Sequence, residues 1–246
     1  MASFTNKDLI LPAALRALDL CFNDAATAAE VNAPALDDLL IGASGADPNG
    51  ESSGQSYVVF GGSGLSGEVN LAALNTTGNP GGFALNGIAG RDLSGRSVSS
   101  AGDVNGDGFD DLLIGASGAD PNGLSAAGQS YVVFGGAGLS GMTVELAALN
   151  TTGNPGGFTL TGTAEGDRRG LPVSGAGDVN GDGFDDLLIG ANGADPNGLS
   201  AAGQSYVVFG GADLSGSTMD LGTPGNPGGF TLNGIAQVIK ESCTCT

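Results

Sequence analysis

The same unit occurs three times in this chain, and that repetition limits the fold more than any other feature of the sequence. DVNGDGFDD at Asp103–Asp111 returns letter for letter at Asp178–Asp186. DLLIGASGADPNG begins at Asp38 and Asp111, with a near-identical relative at Asp186. QSYVVFGG begins at Gln55, Gln129 and Gln204, and NPGGF at Asn79, Asn154 and Asn226, so the spacing runs from 72 to 75 residues. Such a period marks one supersecondary unit that buries its apolar faces against its neighbours.

Each unit carries four strand-like runs. In the middle unit they are Ser97–Ala101, Asp111–Ala116, Ser130–Gly135 and Gly157–Gly162. The third is rich in β-branched and aromatic residues. Clusters of Gly, Asn, Asp and Pro separate the runs, and the chain holds 47 glycines in 246 residues. A parallel solenoid has shorter coils, and a sandwich has no reason to repeat at this period. The expected fold is all-β, with three four-stranded repeats forming β-propeller-type blades. The units are expected at about 30–96, 97–170 and 171–236, with a 237–246 tail.

Charge and missing residue types exclude several functions. Seven basic residues face 26 acidic ones, a net charge of −19. Phosphate contacts need clustered Lys and Arg, so no nucleic-acid partner is expected. There is no histidine, which removes His-dependent triads and His-ligated metals. The three cysteines, Cys21, Cys243 and Cys245, sit near the ends and provide no disulfide framework. No apolar run approaches the roughly 18 residues of a transmembrane helix, so no membrane insertion is expected. The N-terminal stretch is interrupted by Asp8, Arg16 and Asp19 and makes a poor signal peptide.

DVNGDGFDD has the chemistry of a cation loop. Asp103, Asn105, Asp107 and Asp111 place side-chain oxygens at alternate positions, and Phe109 offers its carbonyl. The second copy repeats this with Asp178, Asn180, Asp182, Phe184 and Asp186. Calcium takes six to eight oxygens at roughly 2.3–2.6 Å, so two Ca²⁺ sites are expected. An EF-hand loop starts in the same way but needs an acid at its twelfth position, where Ile114 and Ile189 stand here. Asn-Gly and Asp-Gly turns account for the glycines, but not for three acids and an amide on alternate positions. Without a cation those acids repel one another. The first unit reads EVNAPALDD at Glu30–Asp38. Pro34 replaces an acid, and Ala33 and Ala35 replace glycines, so weak binding or none is expected there.

These residues resemble the FG-GAP repeat family, whose blades build the propeller head of integrin α subunits. The match rests on AGDVNGDGFDDLLIGA and on GAS at Gly115–Ser117 and GAN at Gly190–Asn192; the Phe-Gly positions read Ser94-Gly95 and Arg169-Gly170. The resemblance covers roughly residues 30–236. It implies that the loop joins the first two strands of a blade and binds calcium on one propeller face. It also implies an adhesive or interaction role without catalysis, in an extracellular or cell-surface setting.

Three units are fewer than the roughly four to eight blades of a closed propeller. Either a homodimer completes a six-bladed ring or the chain belongs to a longer array. Residues 1–29 lack the SVSSAG pattern, and a helix over Lys7–Ala29 capping an edge is expected. A carbohydrate-binding module is the alternative, with Tyr57, Tyr131 and Tyr206 stacking on sugars, though packing beside Val-Val-Phe explains those rings better. An extracellular hydrolase or lyase is less favoured, because Asp47, Asp120 and Asp195 in ADPNG read as turn residues. Arg91, Arg96, Arg168 and Arg169 read as surface charge.

Overall fold

The computed structural model describes residues 22–28, 37–61, 69–75, 81–149, 156–222 and 228–235. The first blade holds β1 (Phe22–Ala28), β2 (Asp38–Ala43), β3 (Gln55–Val59) and β4 (Gly82–Asn86). The second holds β5 (Ser94–Gly102), β6 (Asp111–Ala116), β7 (Gln129–Val133), β8 (Thr143–Glu145) and β9 (Gly157–Thr161). The third holds β10 (Arg169–Gly177), β11 (Asp186–Ala191), β12 (Gln204–Val208), β13 (Thr218–Asp220) and β14 (Gly229–Asn233). The four long strands of each unit pair antiparallel in sequence order, which is the meander expected of a blade. The protein is all-β, built of three blade-like sheets.

Two strands leave their own blade. β8 pairs parallel with β4 of the first blade, and β13 pairs parallel with β9 of the second. Each is therefore a fifth strand on the outer edge of the preceding sheet. Both lie in the long link between strands three and four, a stretch the sequence presents as a variable connection.

The apolar core lies between blades. Leu112 and Ile114 of β6 pack with Leu40, Val58, Phe83 and Leu85 of the first blade. Leu113, one position over, packs with Leu187 and Ile189 of the third. Side chains alternate across a strand, so a sheet flanked on both faces needs apolar residues at every position. DLLIGA in β6 is accordingly buried throughout, whereas Leu39 of β2 is exposed and Leu188 of β11 half-buried.

The first strand of the middle blade, β5, packs against both β1 and β10. Backbone meets backbone at the seams. A Cβ on Gly42 would collide with the Gly95 carbonyl, and one on Gly115 with the Gly170 carbonyl. The glycine of each G-A-S motif thus faces the glycine of the following Phe-Gly position.

Two expectations need correction. Phe22–Ala28 is not helical; it is β1, paired antiparallel with β2 in the place of β5 and β10. The first blade therefore starts before residue 30. Pairing with β2 overrides the helical preference of its alanines, since propensity yields to tertiary context. The remainder of Lys7–Ala29, together with the 237–246 tail and Cys21, Cys243 and Cys245, lies outside the described residues. The second correction concerns Arg169. Arg91, Arg96 and Arg168 are exposed, but Arg169 is buried. It pairs with Asp167 at 3.0 Å, lies over the Tyr206 ring at 4.6 Å, and donates to Thr163 Oγ1 and the Leu221 carbonyl.

Candidate metal loops

Asp103–Asp111 joins β5 to β6, and Asp178–Asp186 joins β10 to β11. Gly106 and Gly108 curl the first loop with φ of 79° and 89°, and Gly181 and Gly183 do the same at 80° and 93°. Glycine adopts this left-handed backbone without strain. Asp103 organises its loop. Its Oδ1 accepts N–H bonds from Gly106 (2.7 Å) and Asp107 (3.0 Å), and its Oδ2 accepts one from Gly108 (2.9 Å). Asp107 Oδ1 accepts from the Phe109 N–H, and its Oδ2 from the Asn105 amide. Asn105 Oδ1 accepts from the Asp107 N–H. Asp178, Asn180, Asp182 and Phe184 repeat every one of these bonds.

The ninth position forms the floor of the loop. Asp111 is fully buried, with Oδ2 accepting from the Val104 N–H and Oδ1 from the Gly135 N–H. Asp186 is buried in the same way on Val179 and Gly210. Burial pushes the Asp111 carboxyl up to about 8. The amide donors of Gly135 and Val104 oppose that rise, and the charges of Asp107 and Asp103 add to it. In the first blade, Asp38 is buried and accepts from the Gly61 N–H, so the floor persists there. Glu30 and residues 31–36 lie outside the described residues.

The donor set is all oxygen, the chemistry of a hard cation. Three carboxylates lie near one another in each loop, and among the described residues none of Asp103, Asp107, Asp178 and Asp182 forms an ion pair. Among the described residues, equally, no three acidic side chains converge on a single point. Asp103 and Asp107 point their oxygens at loop amides.

The eighth loop position has a role that the alternating pattern hides. Asp185 Oδ2 accepts the Asp103 N–H at 2.9 Å, and the Asp185 N–H donates to the Asp103 carbonyl at 3.1 Å. The Phe184 ring lies over Gly106. The second loop is thus latched to the first across the seam. The signal was present in the sequence as a second acid beside the ninth-position one.

A family model for the FG-GAP repeat matches residues 94–133 and 173–208. Those two stretches carry the FG-GAP repeat. The two matches start at or near β5 and β10 and run through the loops to β7 and β12. FG-GAP repeats make propeller-type interaction or adhesion domains, in a family that is generally non-enzymatic and typically extracellular. A search of the curated proteins finds no match.

The other expected site residues fall into place around this geometry. Tyr57, Tyr131 and Tyr206 are buried, each donating its hydroxyl to the glutamine two residues earlier. They are packing residues, closed to sugar stacking. Asp47, Asp120 and Asp195 accept the N–H of Ser52, Ala126 and Ala201, which makes them turn residues.

Proposed function

We propose that this FG-GAP chain is a calcium-binding, propeller-type domain for adhesion or protein interaction, with no catalysis of its own. The observation that carries the reading is the pair of identical loops, each placing three carboxylates and an amide within nine residues curled by two glycines, with no ion pair to Asp103, Asp107, Asp178 or Asp182 among the described residues. Asp103, Asn105, Asp107 and the Phe109 carbonyl would hold one ion above Asp111. Asp178, Asn180, Asp182 and the Phe184 carbonyl would hold the other above Asp186. Bound calcium supplies charge compensation and fixes the loops on one face, where a partner can contact them. Extracellular modules bind calcium at ~10⁻⁴–10⁻³ M, which fits an extracellular or cell-surface setting.

Calorimetric titration tests this. Two calcium ions are expected per chain, with Asp107→Asn and Asp182→Asn each removing one. Calcium at a hundredfold over Kd should stabilise the fold by about 2.7 kcal/mol per site, so chelator should lower the melting temperature. No binding heat and identical melting with and without chelator would overturn the reading.

A further inference from the structure

The third blade ends on a sheet edge that the first two do not have. On β4 the Ala84 N–H donates to the Met142 carbonyl, and on β9 the Thr159 N–H donates to the Ser217 carbonyl. Each bond begins the parallel strand supplied by the following blade. Thr231 holds that position on β14, and among the described residues no strand lies beyond it. Phe83, Leu85, Phe158 and Leu160 are fully buried at the two seams, whereas Phe230 and Leu232 are 46% and 52% exposed. Beside them lies an open cavity of about 360 Å³ lined by Gly190, Gly203, Gln204 and Ser205. At the internal seams the matching glycines, Gly42 and Gly115, face the first strand of the next blade.

The opposite end of the molecule carries the complementary half. Val69 corresponds to Val144 and Met219, which are buried in the parallel strands β8 and β13, yet Val69 is 45% exposed. Leu39 corresponds to Leu112 and Leu187, which are fully buried against the preceding blade, yet Leu39 is 44% exposed. Asp37 corresponds to the latch residue Asp185 and is exposed, while Gly177 faces open space where Gly102 faces Asp185.

We propose that a second copy of this chain docks head to tail on this edge. It lays its Val69–Asn70 segment parallel to β14 and its Leu39 face against Phe230 and Leu232. The contact continues an interface that the molecule already makes twice with itself. A heterologous contact of this kind either closes a ring or polymerises. Two sets of the three described blades make six, within the roughly four to eight of a closed propeller, so two copies close the ring.

Sedimentation equilibrium on the full chain is expected to give the mass of two chains. Val69→Asp and Leu232→Lys should each halve that mass. Mixing the two variants should restore a two-chain species through the one seam that keeps both native faces. A monomeric wild type, a mass that grows with concentration, or disruption by one variant alone would overturn the proposal. Amide exchange on the unmodified chain decides the matter independently of whether the variants fold. Thr231 should exchange as slowly as Thr159 in the two-chain species and faster on dilution to monomer. A monomer with a protected Thr231 amide assigns the edge to residues 236–246 and overturns the second copy.

Discussion

Gly102 and Gly177 occupy the same position in successive blades, with φ of 73° and 67°, yet their surroundings differ. A Cβ on Gly102 would collide with the Asp185 carboxylate, while Gly177 meets nothing within 4 Å. Alanine at either site bears the left-handed penalty of roughly 1–2 kcal/mol. Gly102→Ala also disturbs the latch, and overpacking of this kind adds roughly 1–3 kcal/mol. Denaturant unfolding should therefore find Gly102→Ala the less stable of the pair by that added amount. At this scale the sequence is legible where chemistry repeats in place. The alternating oxygens and the loop glycines could be read directly. Asp185 stands out in the sequence only as a second acid, and its latching role is not legible there because its partner is the backbone of Asp103 in another blade.

Among the elements, strands with strong apolar runs were legible and strands defined by a distant partner were not. DLLIGA and QSYVV announce themselves by composition, and β6 and β7 lie where those runs predict. Thr143–Glu145 is three residues long, and its parallel pairing with β4 is set across a blade boundary. Phe22–Ala28 lacks the SVSSAG pattern and becomes a strand because β2 offers it an edge. Arg169 ties elements together in the same non-local way. It joins β10 to the turn after β13 through the Leu221 carbonyl, and Asp167 balances its charge. Removing one partner of a buried pair costs roughly 3–5 kcal/mol, because the remaining charge stays uncompensated. Asp167→Ala should show a loss of that size in chemical denaturation, far beyond that of Glu51→Ala at the exposed Arg91–Glu51 pair.

For the molecule as a whole, the net charge of −19 and the buried carboxyl of Asp111 make stability depend on pH. The folded Asp111 carboxyl titrates at about 8 against an ordinary value of 3.8. Between those values the folded chain holds a proton that the unfolded chain has released. That contribution is complete below about pH 4 and is lost as pH rises through about 8. In chelator, the denaturation midpoint should fall between pH 5 and pH 8.5, and Asp111→Asn should flatten that slope. Calcium selects the ionised carboxylate and should oppose the loss. The strands β8 and β13 also impose an order on synthesis. The first blade's sheet is incomplete until Thr143–Glu145 has left the ribosome, and the second waits in the same way for Thr218–Asp220. Maturation therefore lags translation by most of a repeat. A chain interrupted inside one blade exposes the outer edge of the blade before it, so a single premature stop damages two units.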